Sequence, residues 1–149
     1  MFFLKELPTR RMIDAYTARH EGVESAVVSD ALAMMRRASL LIRELDRYFA
    51  EHDLSQIRFL VLIVIDREED RDSLSPLEIS RRIDVSKPVT TRTLKGMVED
   101  GLIEMRDDES DGRSKQVKLT KEGSLKLQSV LPGYFLTIMS FMTDEGEAS

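Results

Sequence analysis

The chain has no cysteine, which excludes disulfides, thiolate metal centres and sensing by cysteine oxidation. Any response to oxidants would fall to methionine. Only two histidines are present, His20 and His52, which leaves little for a zinc or catalytic centre, and each is expected on the surface. No apolar run approaches the roughly 20 residues needed to span a bilayer. The opening MFFLKELPTRR meets charge at Lys5, where a signal peptide would carry its apolar core. A cytoplasmic protein with no membrane partner is the expectation. A nucleophile elbow, a phosphate-cradling glycine loop and a convergent histidine–carboxylate pair are also lacking, which argues against an enzyme and against a bound cofactor or metal.

What is present is one domain's worth of globular sequence: 149 residues, 42% hydrophobic and 33% charged. The net charge of −5 argues mildly against polyanion binding, because phosphate contacts need cations. Distribution outweighs the sum. Between Ser75 and Val98 five cations, Arg81, Arg82, Lys87, Arg92 and Lys95, stand against only Glu78 and Asp84.

That cationic stretch opens with Ser75, Pro76 and Glu78, a capping box with proline at the first helical position. Leu77, Ile79, Ile83 and the trailing Val85 supply the apolar positions of this short helix, with Arg81 and Arg82 on the wetter side. A second helix is predicted from Ser86, read as its cap, to Asp100, with Pro88 in the first turn and Gly101 just past the end. Thr90, Leu94 and Met97 share one face, while Lys87, Thr91 and Lys95 share another with Arg92 beside it. Two short helices joined near 84–86 make a helix-turn-helix, whose second helix enters a DNA major groove with its N-terminal half. Strand-like runs at 102–106 and 115–120, joined through Asp111-Gly112, predict a β-hairpin, the wing.

In this register the stretch SPLEISRRIDVSKPVTTRTLKGMVEDGLIEM followed by DGRSKQVKLTKEG resembles the MarR family of bacterial winged-helix transcriptional regulators. The residues that carry the likeness are Ser86-Lys87-Pro88, Thr91-Arg92, Gly101 to Ile103, Asp111 with Arg113, and Leu119-Thr120 with Gly123. The resemblance implies a mainly α fold with a small β-hairpin, a winged helix-turn-helix with flanking dimerisation helices. It implies a homodimeric, ligand-responsive repressor reading a pseudo-palindromic operator in double-stranded DNA. Its DNA-binding residues would be Ser75, Ser86, Lys87, Pro88, Thr91, Arg92, Lys95, Arg113 and Lys115, with Asp111 supporting the wing. Arg92 is the candidate for bidentate guanine reading or for clamping a phosphate, and Arg113 for minor-groove insertion. Small aromatic or anionic effectors are implied, held between the dimer helices and the winged helix. Their pocket residues are not assigned, although Arg36, Arg43, Arg47, Tyr48 and Arg58 fall near the expected region. The rival reading is a winged helix turned protein-interaction module, which fits the acidic balance.

Two residues depart from the pattern. Gly96 lies inside the recognition helix, where glycine costs about 1 kcal/mol relative to alanine, which predicts a less rigid helix; Thr93 replaces a usual aliphatic residue. Asp107, Glu109, Asp111 and Gly112 imitate the opening of a calcium loop, but Lys118 stands where a bidentate glutamate is required.

Three units are expected: 1–54, an N-terminal extension and dimerisation helix; 55–122, the DNA-binding domain; and 123–149, a C-terminal dimerisation helix. Met12, Ile13 and Tyr16 after Pro8-Thr9 predict a short helix stopping at Gly22, and 23–52 a long one with Leu32, Met35, Ala38, Ile42, Leu45 and Phe49 along one stripe. Ser55 should cap a buried helix, QIRFLVLIVID, followed by an acidic loop, REEDRDS, read as solvated surface. A last helix from about Ser124 should be kinked or interrupted at Pro132-Gly133. The family's closing helix, which follows a Thr143-Asp144-Glu145-like signal, is expected to be absent, with residues 1–22 replacing its dimer surface.

Overall fold

The computed structural model describes residue 2 and residues 4–144. Glu145, the end of the C-terminal signal, lies outside the described residues, as do Met1 and Phe3. The first helix, α1 (Arg10–Thr17), starts where the Thr9 hydroxyl accepts the Met12 amide at 3.3 Å. It buries Ile13 against α2 and leaves Met12 and Tyr16 exposed. It stops at Ala18, ahead of Gly22, whose φ of +77° belongs to the loop instead.

The long helix α2 (Ser25–Glu51) drives only the C-terminal part of its stripe, Leu45 and Phe49, into the core. Met35 and Ile42 remain 42% exposed, so half of the apolar face is open to a partner. Helix α3 (Gln56–Asp66) follows the expected cap, with Ser55 Oγ accepting the Arg58 amide. Its near-continuous hydrophobicity has the reason foreseen: Phe59, Val61, Leu62, Val64 and Ile65 are all buried. Phe49, Phe59 and Tyr134 meet in one aromatic knot, with Phe59 centroids 4.7 Å from both others. That knot ties α2, α3 and the last helix together.

The wing is a three-stranded antiparallel sheet in the order β1-β3-β2, built from β1 (Ser73–Leu74), β2 (Ile103–Asp107) and β3 (Lys115–Leu119). The hairpin is as expected, but the third strand is an addition. Two residues carry no periodicity, and β1 exists only because Leu74, fully buried, pairs with Val117 across from Met105.

The C-terminal helix, α6 (Lys121–Asp144), begins three residues earlier than predicted and runs as one element through Pro132. Its start is set by Thr120, whose hydroxyl accepts the Gly123 amide at 3.0 Å. Proline inside a helix costs about 3 kcal/mol, and packing on α2 offsets it. Leu127 and Val130 are buried before the proline, and Tyr48 donates to the Val130 carbonyl at 2.7 Å. The Tyr48 ring also fills the space above Gly133, where a Cβ would stand 2.6 Å from Tyr48 Cζ. Leu125, Phe135, Leu136, Met139 and Met142 are left exposed along α6.

Candidate nucleic-acid interface

The capping box is complete. Ser75 Oγ accepts the Glu78 amide at 3.2 Å and Glu78 Oε2 accepts the Ser75 amide at 2.8 Å, starting α4 (Pro76–Arg82). The Ser75 amide and the Arg71 guanidinium hold the Glu78 carboxyl below its usual pKa. Ile79 and Ile83 are buried as expected, whereas Leu77 is 45% exposed.

The next helix, α5 (Lys87–Glu99), follows Ser86 at the N-cap, but the Ser86 side chain makes no capping bond. Pro88 lies within the first two positions, where one orphan donor fewer has to be satisfied. Gly101, with φ +72°, ends the helix as expected. Thr90, Leu94 and Met97 clamp α5 to the core, each at most 3% exposed. Lys87, Pro88, Thr91, Arg92 and Lys95 face outward. Among the described residues Lys87, Arg92 and Lys95 have no ion-pair partner. A groove of about 290 Å³ runs between α4 and α5, lined by Pro76, Leu77, Ser80, Lys87, Thr90 and Thr91.

At the wing tip Arg113 likewise has no ion-pair partner among the described residues. Its backbone N–H is held by Asp111 Oδ1 at 3.1 Å, so Asp111 supports the wing through the main chain and not through the Arg113 guanidinium. The stronger organiser is Asp108, which the sequence reading missed. Its carboxylate accepts the Ser110 hydroxyl at 2.7 Å, the Ser110 amide at 2.9 Å, and both Ser114 Oγ and Gln116 Nε2 at 3.1 Å. These donors, Ser110 foremost, lower its pKa to about 2. Lys115 is less free than Arg113, because its ammonium pairs with Asp107; Lys118 pairs with Asp72.

The acidic loop is not simply solvated. Glu68 takes both Arg82 of α4 and Arg71, while Arg71 continues to Glu78 at 2.5 Å. Arg82 is the main cause that holds the Glu68 carboxyl below its usual pKa. The network laces the α3–β1 loop to the helix-turn-helix, and because the loop carries no periodicity its pairing with α4 follows from the fold and not from spacing.

Of the groups near the expected effector region, three are already engaged. Arg47 pairs with Glu44, Tyr48 bonds to Val130, and Arg58 pairs with Asp100 at 2.6 Å. Burial pushes the Tyr48 phenol pKa up. Arg43 instead lines a groove of about 450 Å³ with Phe2, Met35, Ala38, Ser39 and Ile42, and the Ser39 hydroxyl donates to the Phe2 carbonyl. Arg36 Nη1 is buried without a hydrogen-bond partner among the described residues.

A capped two-helix unit followed by a three-stranded wing, with unpaired cations on the outer face of its second helix, defines a winged helix-turn-helix. The family model described as MarR family matches residues 52–114. The HTH-type transcriptional repressor YetL of Bacillus subtilis (strain 168) is 29% identical over 139 residues, spanning 93% of this chain and 83% of that protein. AbsC, a MarR family transcriptional regulator from Streptomyces coelicolor, superposes with a TM-score of 0.76 at 17% identity over 82% of each chain. Sco3205 from the same organism, a MarR family regulator solved in complex with DNA, gives a TM-score of 0.69 at 20% identity, covering 75% of this chain and 70% of that one. Over residues 52–114 the chain matches the MarR family model, and as a whole it is similar to an HTH-type transcriptional repressor and has the winged helix-turn-helix fold of MarR family regulators. No helix among the described residues is long and apolar enough to cross a membrane.

Proposed function

We propose that the protein is a ligand-responsive repressor that binds a pseudo-palindromic operator as a homodimer, with one α5 in each of two successive major grooves and the wings in the adjoining minor grooves. The observation that carries this reading is the set of cations Lys87, Arg92, Lys95 and Arg113, exposed on α5 and the wing with no ion-pair partner among the described residues. In an acidic chain such unpaired cations are suited to phosphates and guanine edges. Arg92 reads a base or clamps a phosphate; Thr91, whose hydroxyl donates to the Lys87 carbonyl at 3.0 Å, keeps lone pairs with which to accept. Lys87 and Lys95 meet phosphates, Ser75, Ser86 and Pro88 border the contact, and Arg113 enters the minor groove. Lys115 joins the phosphates once released from Asp107.

Dimerisation is supported by the exposed apolar residues of α6 and α2, among them Phe135, Leu136, Met139, Met34 and Met35. Residues 1–54 and 123–149 then form the dimerising body and 55–122 the reading unit. Helix α1 packs on α2 of its own chain, which lets residues 1–22 extend the dimer surface. Repression follows the role in the YetL name. A small aromatic or anionic effector that prefers a dimer with the wrong recognition-helix spacing must weaken DNA binding by the same factor.

The test is fluorescence anisotropy on the DNA upstream of the protein's own gene across a salt series, with Arg92→Ala and Arg113→Ala alongside. Arg92→Ala should weaken binding by about 1–3 kcal/mol if it reads a base. If it clamps a phosphate, the salt slope should also fall by about 1. Equal binding to scrambled DNA, indifferent to both substitutions, would sink the reading and leave the interaction module in its place.

A further inference from the structure

Arg58 and Asp100 are 42 residues apart in sequence, yet Arg58 Nη1 donates to Asp100 Oδ2 at 2.6 Å. The guanidinium reaches the carboxylate by lying across Gly96: a Cβ there would stand 2.9 Å from Arg58 Nη2. Asp100 is the C-cap of α5, where the partial negative charge of the helix end disfavours a carboxylate and favours a cation. The Arg58 guanidinium over the carboxylate offsets that cost. On the other side, Arg58 adjoins Phe59, which packs on Phe49 of α2 and Tyr134 of α6. One side chain therefore links the helix body to the far end of the recognition helix.

We propose that Arg58 is a positioning residue for DNA reading: laid across Gly96 and paired with Asp100, it sets the tilt of α5 relative to α3, and through α3 relative to α2 and α6. The inference rests on the operator-binding role proposed above. Thr91 lies nine residues before Asp100, about 14 Å along the axis, so a tilt of about 5° at the clamped end moves the reading end by roughly 1 Å. That displacement is enough to spoil hydrogen bonds to base edges. Gly96 gains a purpose here, because its missing side chain is the channel for the guanidinium. The bridge is partly exposed, 27% at Arg58 and 56% at Asp100, and exposed pairs add little to global stability. Geometry is its contribution.

The experiment compares the full-length protein with Arg58→Ala, Arg58→Lys and Gly96→Ala, measuring operator affinity, its salt slope and the melting temperature of each. Alanine at position 96 raises helix propensity while pushing the guanidinium aside, so it separates positioning from folding. The expected result is an operator affinity lowered about tenfold in Arg58→Ala and in Gly96→Ala. The salt slope should be unchanged because no phosphate contact is lost, and Gly96→Ala should melt no lower than the parent. Lysine, a point charge without the planar fork, should restore only part of the affinity. Parent-like affinity in both Arg58→Ala and Gly96→Ala, with the parent still preferring its operator, overturns this inference alone; a salt slope reduced in Arg58→Ala would make Arg58 a phosphate ligand and overturn it too. A parent protein indifferent to operator sequence overturns the inference together with the function on which it rests.

Discussion

Gly123→Ala should destabilise the protein although it replaces a helical glycine with the best helix former. In an open helix the change would gain about 1 kcal/mol. Gly123, however, lies in the first turn of α6, against the main chain that leads into β2. A Cβ there would stand 2.9 Å from the Leu102 carbonyl carbon and closer still to its oxygen. Neither side can yield cheaply. The Leu102 carbonyl already accepts the Thr120 amide at 3.1 Å, and the Gly123 amide is held by the Thr120 hydroxyl at 3.0 Å. Relief requires the first turn of α6 to shift by on the order of 1 Å, and overpacking of that kind costs about 1–3 kcal/mol or somewhat more against rigid backbone. Net of the propensity gain, a loss of about 1–2 kcal/mol is expected, which lowers the melting temperature by roughly 2–8 °C in a domain of this size. The assay is thermal and urea unfolding followed by circular dichroism at fixed protein concentration. Gly112→Ala serves as control, since nothing lies within 4 Å of a Cβ at that position. A Gly123→Ala protein that melts at or above the parent would refute the reasoning.

Two further substitutions address the site. Ser75→Ala removes one half of the capping box and should cost about 1 kcal/mol in urea unfolding, whereas an unchanged midpoint would mean that α4 is held by packing alone. Asp108→Asn should loosen the wing, seen as faster exchange of the Ser110 and Ser114 amides with the core amides unaffected. The pH dependence has the matching sign: the Asp108 carboxyl falls from an ordinary 3.8 to about 2 in the folded wing, so its contribution is present above about pH 4 and is lost as the pH falls toward 2. Wing amides whose protection, corrected for the intrinsic exchange rate, is the same at about pH 5 and about pH 2.5 would contradict this.

The helix-turn-helix was legible because its determinants are local. A serine, a proline and a glutamate within four positions start α4 wherever they occur, and the outward and inward faces of α5 follow from helical spacing alone. The wing hairpin was legible for the same reason, through alternation and an Asp-Gly turn. Local signals misled where packing prevailed. Pro132 promised a kink or an interruption, and of these the interruption does not occur: α6 continues, with Leu127 and Val130 buried before the proline and Tyr48 bonded to Val130 and packed over Gly133. The REEDRDS loop resembled idle charge, and Glu68 proved to be a junction for two arginines. Gly96 resembled a weak point in α5 and is the channel for a side chain from α3.

By itself, then, the sequence determined the secondary structure of the reading unit, the identity of its outward cations and the family resemblance, since each depends on neighbours within a turn or two of the chain. Only the tertiary structure decided which of those cations remain unpaired, why Asp108 outranks Asp111 in the wing, how β1 joins the sheet, and what Arg58 does. Those depend on side chains that the folded backbone brings together, within the hairpin for Asp108 and across the domain for β1 and Arg58, and helical or strand periodicity specifies no such meeting.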